Sequence, residues 1–398
     1  MNDQKRIKKN SYLNYQILIP YFILLLLGCL FVYSASSDIL LLNHLKTTAY
    51  LFKQIVYDLF AIFVLYVTYR VKLQLFRSKK FVKAMILLSL ALLFYLVLLR
   101  IVKGSAAAVN GAVGWINLGP INIQPVEIAK LSLTIYLAFL VDKRIDKINQ
   151  LKILEAWSNP LVIVILMLFM TLLQPDIGGA AILGMVTLIL FTTSGIPVRL
   201  ALTLILITVF GVITLLFIAG TINPDLFPHS YQIQRFLAFA HPFKLEKTSG
   251  AQLVNSYYAI HNGGLFGVGI GNSMQKQGYL PEPYTDFILS IIAEEIGVLG
   301  AIIIISLIFF IIWKTLEIAT SATNQFNALI CFGVATMLFT ETLFNVGALL
   351  GLLPITGVTL PFISYGGSSV IVLSFGLGLV LNISAYEQIK KDREAQKL

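Results

Sequence analysis

The sequence predicts an all-α, polytopic membrane protein with about ten transmembrane helices and a long extracellular loop between helices 7 and 8. Its 398 residues are 58% hydrophobic and only 12% charged, roughly half the charge of an average soluble domain. Apolar runs of about 20 residues, long enough to cross a bilayer, recur along the chain. These runs are continuous rather than alternating, and this pattern indicates helices and excludes a membrane β-barrel.

Ten segments are predicted to span the membrane, from their length and their flanking charges. The first follows the basic residues Lys5, Arg6, Lys8 and Lys9 and is too long for a signal-peptide core, so we expect a retained helix. The fifth and sixth are short and are separated only by Gln174–Ile177. The predicted limits are Tyr15–Ser34, Ala49–Tyr69, Phe81–Leu99, Pro125–Val141, Pro160–Leu173, Gly178–Thr193, Leu200–Gly220, Asp286–Trp313, Phe326–Leu350 and Phe362–Tyr386.

The basic residues predict the orientation of these spans. An even number of spans places both termini on one side, together with the connections Arg70–Lys83 and Asp142–Lys152, and that side holds 20 of the 29 Lys and Arg residues. Both termini are therefore predicted to be cytoplasmic. The connection Thr221–Thr285 is then outside, and a loop of this length in a compact bundle is usually functional. No repeat or second domain is evident, so one domain is predicted over residues 1–398.

Composition also limits the partners and cofactors. The net charge is +10, but the basic residues stand at alternate ends of the spans, as topology signals do, so nucleic acid is not predicted as a partner. Cys29 and Cys331 both lie in apolar runs, and no disulfide framework is indicated. The histidines are scattered without zinc-like spacing. His229 and His241 share a loop with acids, which leaves a weak divalent site open but unsupported.

The outer loop concentrates the polar groups of the chain. Phe236–Phe239 and Leu253–Ile260 have the pattern of short amphipathic helices lying against a membrane surface. A glycine-rich run can cradle phosphates, but this one lacks the strand–loop–helix context of such sites. The alternative is that the glycines permit tight turns and close backbone approach. The glycines concerned are Gly263, Gly264, Gly267, Gly269 and Gly271.

The stretch Tyr279–Gly297 joins this loop to the eighth span, and its acids Glu282 and Asp286 lie where water meets membrane. One interpretation is that Asp286 caps the N-terminus of the helix that begins there, where acids complement the helix dipole. The other is functional, because the mouth of this helix faces the large outer loop. Residues of this region alone leave both interpretations open.

Four further charged residues lie inside predicted spans. Glu294 and Glu295 are about two turns deeper in the eighth span, where an unpaired charge is costly, and we expect them to pair structurally with a cation from another span. Glu127 and Lys130 have the i,i+3 spacing that places them on one helix face. Either a functional site or an ion pair that holds the bundle explains that pair. Asp176 is predicted to serve only a tight turn.

Motifs spread over nearly the whole chain resemble those of a known family. The most specific are Gly271–Lys276, of sequence GNSMQK, and Leu280–Phe287, of sequence LPEPYTDF. Others follow the same order in the chain: Val32–Ser36, Trp115–Gly119, Gln124–Lys130, Gln174–Asp176 and Ser364–Ser369. These motifs make the chain similar to the SEDS proteins, the shape, elongation, division and sporulation group of membrane glycosyltransferases. Gly271–Lys276 and Thr359–Phe362 resemble the FtsW branch more than the RodA branch.

The resemblance implies a peptidoglycan glycosyltransferase that polymerises lipid II into glycan strands at the outer face of the bacterial cytoplasmic membrane, for septal wall synthesis in cell division. In this reaction the 4-hydroxyl of an acceptor sugar attacks the anomeric carbon of the donor, and undecaprenyl diphosphate leaves. The step needs a base for the hydroxyl and cations for the diphosphate. Asp286 matches the catalytic acid of the family and is expected to be that base. Apolar surroundings or Glu282 would raise its pKa.

The resemblance also implies substrate-binding residues. Arg235 matches a loop arginine and is expected to contact the diphosphate, with Lys276 as a second candidate because it lies on the same loop. Glu127 and Lys130 match a pair on the fourth helix and are expected to shape the lipid-binding cavity, and Glu282 is a lesser neighbour of the base. A divalent cation often accompanies diphosphate, but the sequence shows no dedicated ligands, so it stays a candidate cofactor without a predicted site.

The implied partners are lipid II, undecaprenyl diphosphate, a class B penicillin-binding protein (a transpeptidase with one membrane helix) and other membrane proteins of the division machinery. Three alternatives remain open. The protein could flip lipid II across the bilayer, polymerise glycan for elongation as RodA does, or only recruit a partner. A flippase needs no base at the outer surface, so the role of Asp286 separates the first alternative from a polymerase.

Overall fold

The computed structural model describes residues 9–104, 113–117, 119, 122–221 and 231–396. Lys5, Arg6, Lys8, Leu118 and His229, which enter the predictions above, lie outside these ranges. A 3-10 turn covers Lys9–Tyr12. The helices are α1 (Tyr15–Leu42), α2 (Ala49–Arg70), α3 (Leu73–Phe76), α4 (Lys79–Lys103), α5 (Pro125–Lys143), α6 (Ile145–Asn149), α7 (Ile153–Leu173), α8 (Ile177–Thr192), α9 (Val198–Thr221), α10 (Tyr231–Ala240), α11 (Ala251–Gly263), α12 (Ile288–Ser321), α13 (Gln325–Leu349) and α14 (Gly367–Ala395).

The helical fold is confirmed, and each of the ten predicted spans corresponds to one helix. Within the described ranges, eight helices are long and apolar enough to cross a membrane. The other two predicted spans are α8, which is shorter, and α5, which carries Glu127 and Lys130 near its start. One two-stranded antiparallel hairpin precedes α5 and pairs β1 (Ile116–Asn117) with β2 (Asn122–Ile123).

Seven of the ten helix starts differ from the prediction, and three of these differences bear on the fold or on the candidate site. α7 begins at Ile153 and contains Pro160, so this proline does not start the helix. α12 begins at Ile288 instead of Asp286. α14 begins at Gly367 instead of Phe362, because residues 354–360 are irregular and residues 361–365 form turns and bends ahead of Gly366. The two later starts leave the segments before α12 and α14 free to carry other functions.

The centre of the bundle is formed by α13 and α14, whose residues are mostly buried. α13 packs against α5, α8 and α12, and α14 packs against α2. In contrast, the apolar window of α9 has no buried residue. The polar ends of α5, α8, α12 and α13 therefore meet around the core of the molecule, while α9 lies at its periphery.

A kink in α12 ties the glycine-rich run to the helix. Gly297 has φ +77° and interrupts the helical backbone. The amides of Val268 and Gly269 donate to the carbonyls of Glu294 and Glu295, at 2.9 Å each. A Cβ at Gly267 would overlap the Glu295 backbone. These glycines thus serve close backbone approach, as one of the two sequence interpretations expected, and not a phosphate cradle in this arrangement.

Two of the elements in the long connection match the predicted short helices. α10 extends the predicted Phe236–Phe239 stretch to Tyr231–Ala240, and α11 contains the predicted Leu253–Ile260 stretch. α11 packs against α12, whereas α10 lies next to α9. The connection is therefore a packed part of the bundle, and it carries residues into the region before α12.

Candidate active site

Asp286 lies two residues before the first residue of α12. The N-cap position of that helix is Phe287, and no side chain caps it. The Asp286 carboxylate instead accepts a hydrogen bond at Oδ1 from the Thr285 hydroxyl at 2.9 Å. The interpretation of Asp286 as a helix cap is therefore wrong. Its side chain is half-buried and does not cap the helix.

Asn345 of α13 fixes the backbone of Asp286. Its side-chain amide donates to the Asp286 carbonyl at 2.8 Å and to the Val358 carbonyl at 2.9 Å. This pair of bonds joins the start of α12 to residues 354–360, which we call the inner segment. Two atoms here, Asn345 Oδ1 and Thr356 Oγ1, are buried without a hydrogen-bond partner among the described residues. Buried polar atoms are usually paired, so these two atoms are exceptions to that rule at the site.

Arg235 of α10 faces Asp286 across Gly357 of the inner segment. The Arg235 Nη1 group donates to the Ile355 carbonyl at 3.3 Å. A Cβ built on Gly357, whose φ is +73°, would stand 3.4 Å from Arg235 Nη1 and 4.0 Å from Asp286 Oδ2. The guanidinium and the carboxylate thus face the same small space, which a side chain at residue 357 would occupy. The left-handed backbone of Gly357 favours glycine there, and a Cβ would only touch both charged groups at ordinary contact distance.

The surroundings of Asp286 set its basicity. Burial raises the pKa of its carboxyl above the ordinary value, while the hydrogen bond from Thr285 and the charge of Arg235 oppose that rise. Burial disfavours the charged form, and the two polar partners favour it. The expected rise of the pKa is confirmed, and apolar surroundings cause it. Asp286 is therefore a stronger base than a solvated aspartate.

Glu282 stabilises the turn that presents Asp286. Its carbonyl accepts from the Thr285 amide at 3.2 Å and from the Thr285 hydroxyl at 2.9 Å. The φ of Glu282 is +51°, a left-handed conformation that is uncommon for a residue with a Cβ. Burial raises the pKa of Tyr284, and the charge of Glu282 adds to that rise. Glu282 thus lies next to the site and influences Tyr284.

Glu127 and Lys130 lie together in a buried ion network with a third residue, Glu341 of α13. Lys130 Nζ is 2.7 Å from Glu127 Oε1 and 2.5 Å from Glu341 Oε1. All three side chains are almost fully buried. Sequence spacing identified the pair on α5, but Glu341 is 211 residues away from Lys130 and no local pattern announces it. The network links α5 to α13 next to the centre of the bundle.

Asp176 connects this network to Arg235. It is the N-cap of α8 and accepts a hydrogen bond from the Gly179 amide at 2.7 Å, so the predicted turn role is confirmed. Burial raises its pKa, and the charges of Lys130 and Arg235 oppose the rise. A Cβ at Gly178 would stand within about 3 Å of Val358 and Thr356, so the start of α8 lies against the inner segment. Charges therefore alternate from Asp286 through Arg235 and Asp176 to Lys130.

Lys276 is not brought to Asp286, and its expected contact with diphosphate is corrected here. Its ammonium lies 2.9 Å from Glu295 and 3.2 Å from the Ser34 hydroxyl, and its side chain is 2% exposed. Glu294 accepts hydrogen bonds from Ser273 and from the Met274 and Gln275 amides. Glu294 and Glu295 have structural roles, but the expected cation from another span is wrong: Glu295 pairs with Lys276 of the loop before α12, and Glu294 is held by hydrogen bonds from that loop. The position of Lys276 on the same loop as Asp286 suggested a cation free to bind substrate, but in the fold its ammonium is paired with Glu295.

The described residues contain no group of three or more His, Cys, Asp or Glu side chains arranged to hold a metal ion. The two aspartates of the site each have their own partners, Thr285 for Asp286 and Gly179 for Asp176. Hard divalent cations need several converging oxygen ligands. The side chains of the described residues at this site therefore do not form a dedicated cation-binding site.

The family model for cell cycle proteins of the FtsW, RodA and SpoVE type matches residues 15–389. The chain belongs to this family. Among its relatives is the probable peptidoglycan glycosyltransferase FtsW of Lactococcus lactis, with 39% identity over 98% of this chain and 96% of the relative. The proteins of the same name from Enterococcus hirae and Bacillus subtilis are 37% and 34% identical, over 98% and 96% of this chain and 96% and 93% of those proteins.

Solved members of the family share the fold. One chain, from work described as "Structural coordination of polymerization and crosslinking by a peptidoglycan synthase complex", has a TM-score of 0.72 and 26% identity, covering 94% of this chain and 97% of that one. The rod shape determining protein RodA of Thermus thermophilus has a TM-score of 0.64 and 24% identity, covering 94% and 96%. The ten-span arrangement of this protein is therefore that of FtsW/RodA/SpoVE proteins.

Proposed function

We propose that this protein is a peptidoglycan glycosyltransferase that polymerises lipid II into glycan strands for septal wall synthesis. The observation that carries the proposal is the pairing of a half-buried carboxylate, Asp286, with the Arg235 guanidinium across Gly357. A base and a cation facing one space suit a displacement in which a hydroxyl attacks and an anion leaves. Full-length similarity to proteins named probable peptidoglycan glycosyltransferase FtsW supports the substrate and the division role.

In the proposed reaction Asp286 accepts the proton of the acceptor 4-hydroxyl as its oxygen forms a bond to the donor anomeric carbon. The bond from that carbon to the diphosphate oxygen breaks, and undecaprenyl diphosphate leaves with the electron pair. A raised pKa makes Asp286 a better proton acceptor. Arg235 stabilises the negative charge that develops on the diphosphate. Arg235 also acts electrostatically on Asp176, so this cation has an acid neighbour besides Asp286.

Both substrates carry lipid tails, so the reaction must take place at a bilayer surface. The distribution of Lys and Arg favours cytoplasmic termini, which puts the Asp286 end of α12 on the outer face. We propose this orientation together with a partner that crosslinks the strands, a class B penicillin-binding protein. Similarity to a chain of a complex described as coordinating polymerization and crosslinking supports that partner.

Purified protein in detergent, supplied with lipid II, tests the proposal directly. We expect glycan strands, resolved by electrophoresis of the product, with and without a partner transpeptidase. In vesicles, transbilayer movement of lipid II without strand formation under either condition would identify a flippase and reject the polymerase. Absence of both activities would favour a scaffold.

Replacing Arg235 with alanine should weaken the use of lipid II. The variant loses the cation that faces the diphosphate, and a charge-assisted contact of this kind is worth about 1.5–3 kcal/mol, so kcat/KM should fall by about 10- to 150-fold. Arg235→Lys should recover only part of the loss because its ammonium cannot form a bidentate contact. The control is Lys244→Ala, an exposed cation of the same connection. Unchanged kinetics across lipid II concentrations for Arg235→Ala would remove this residue from the site.

The rate should depend on pH through Asp286. The base acts only when it is deprotonated, and burial raises its pKa, so kcat/KM should fall on acidification with a midpoint above the ordinary aspartate pKa of about 3.9. Arg235 opposes that rise, so Arg235→Ala should move the midpoint to still higher pH. Lys244→Ala should leave it in place. A midpoint at or below the ordinary value would show that Asp286 is not the buried base.

A further inference from the structure

Four tyrosines form a cluster beside Asp286 that the proposed reaction does not use. We call Tyr50, Tyr57, Tyr284 and Tyr365 the tyrosine cluster. The Tyr50 ring centroid is 4.7 Å from that of Tyr284 and 4.9 Å from that of Tyr365. Tyr57 and Tyr365 are 6.2 Å apart. Three separate parts of the chain, α2 and the segments before α12 and α14, thus contribute rings to one place.

A backbone hydrogen bond holds this cluster next to Asp286. The Tyr365 amide donates to the Tyr284 carbonyl at 2.9 Å, and Tyr284 is two residues before Asp286. A Cβ on Gly367 would stand 2.8 Å from atoms of the Tyr57 ring, so glycine at residue 367 lets that ring approach α14. Tyr50, Tyr57 and Tyr365 are only partly buried. The rings are therefore fixed next to the base and still open to a ligand.

The hydroxyl groups of Tyr284 and Tyr365 are held neutral. Burial, the hydrogen bond to Tyr50 and the charge of Glu282 raise the pKa of Tyr284 well above its ordinary value. Burial and the neighbouring Tyr57 and Tyr50 do the same for the pKa of Tyr365. A neutral phenol keeps its proton, donates and accepts hydrogen bonds, and does not repel a hydroxylated ligand. Tyr284 and Tyr365 are consequently not further bases beside Asp286.

Two chemically different groups lie around Asp286. Arg235 donates to the Ile355 carbonyl of the inner segment, and its cation suits an anion. The tyrosine cluster includes Tyr284, two residues before Asp286, and offers ring faces with hydroxyl groups. Pyranose rings present apolar C–H faces bordered by hydroxyl groups, and aromatic side chains with a polar tip complement both features.

We propose that the tyrosine cluster is the binding site for the acceptor saccharide, whose hydroxyl is thereby held within reach of Asp286. The inference rests on the proposed glycosyl transfer and adds to it the subsite that recognises the sugar instead of the diphosphate. Tyr50 is its central residue because it contacts both Tyr284 and Tyr365. Lys53 Nζ lies 5.8 Å from the centroid of the Tyr50 ring at the exposed side of α2.

Saturation-transfer NMR on the purified, full-length Asp286→Asn protein in detergent tests the site without turnover. The probe is the lipid-free disaccharide of N-acetylglucosamine and N-acetylmuramic acid, at millimolar concentration. We expect it to bind this protein, to lose about tenfold in affinity when Tyr50→Leu is added, and to be retained more closely by Tyr50→Phe, which keeps the ring. Tyr66→Leu, on an exposed position of the same helix, is the matched control and should bind as the parent does.

A second probe separates this subsite from the diphosphate side. Undecaprenyl diphosphate carries no sugar, so its binding, followed by native mass spectrometry, should be unchanged in Tyr50→Leu and reduced in Arg235→Ala. No disaccharide binding by the parent, or equal binding by Tyr50→Leu, would overturn the proposal. Equal loss of both ligands in Tyr50→Leu would also overturn it, because the cluster would then only support the fold. If the protein with Asp286 intact makes no strands, disaccharide binding that depends on Tyr50 would instead reject the proposed polymerase while keeping the subsite.

Discussion

Replacing Asp286 with alanine should abolish strand synthesis while the protein still folds and inserts into the membrane. A positioned general base contributes about 10²- to 10⁴-fold to a rate, so polymerisation of lipid II by the purified variant should fall by at least about 100-fold. Folding should be retained because the Asp286 carboxylate does not cap α12, and Asn345 holds the backbone carbonyl of residue 286 instead of its side chain.

Two variants sharpen this result. Asp286→Asn keeps the size of the side chain but loses the negative charge and with it the ability to accept a proton, so it should be nearly as inactive as the alanine variant. Glu246→Ala, at an exposed acid of the same long connection, should retain full activity. Near-normal polymerisation by purified Asp286→Ala, with an elution profile like that of the parent, would reject the assignment of the base.

Hydropathy predicted the helical scaffold because each span must satisfy its own backbone in lipid, and that requirement leaves a strong local signal. Hydropathy placed the ten predicted membrane spans on helices, but it could not place the irregular segments before α12 and α14. Those segments are fixed by contacts between distant residues, such as Asn345 with Val358 and Tyr365 with Tyr284. The residues around Asp286 are therefore identified only once the chain is folded.

The candidate site shows the same division between local and distant signals. Asp286 and Arg235 were identifiable from motifs, since each belongs to a local pattern. Lys276 was misassigned because closeness along the loop did not reveal that its ammonium reaches Glu295 within the bundle. Glu341 and Asn345 were missed because single polar residues in an apolar helix carry no spacing pattern. Buried polar groups need partners, but the sequence does not identify which ones.

Removing the ammonium of Lys130 should destabilise the protein strongly. Lys130→Met leaves the Glu127 and Glu341 carboxylates without the cation that both contact, and breaking a buried ion pair in this way costs about 3–5 kcal/mol. The free energy of unfolding in detergent, from denaturant or thermal melts, should fall by that amount. Lys314→Met is the matched control, because its pair with Glu317 lies at the surface, and its loss should stay under about 1 kcal/mol.

A triple variant separates the two roles that the sequence left open for Glu127 and Lys130. Glu127→Gln, Lys130→Met and Glu341→Gln together remove every charge of the network, so much of the lost stability should return. If the network only holds the bundle, strand synthesis should return with stability. If the charge of the network also acts on Asp176 and Arg235 and so shapes the lipid-binding cavity, the stable triple variant should remain impaired in the use of lipid II. This is the result we expect. A Lys130→Met protein as stable as Lys314→Met would contradict the structural part of this argument.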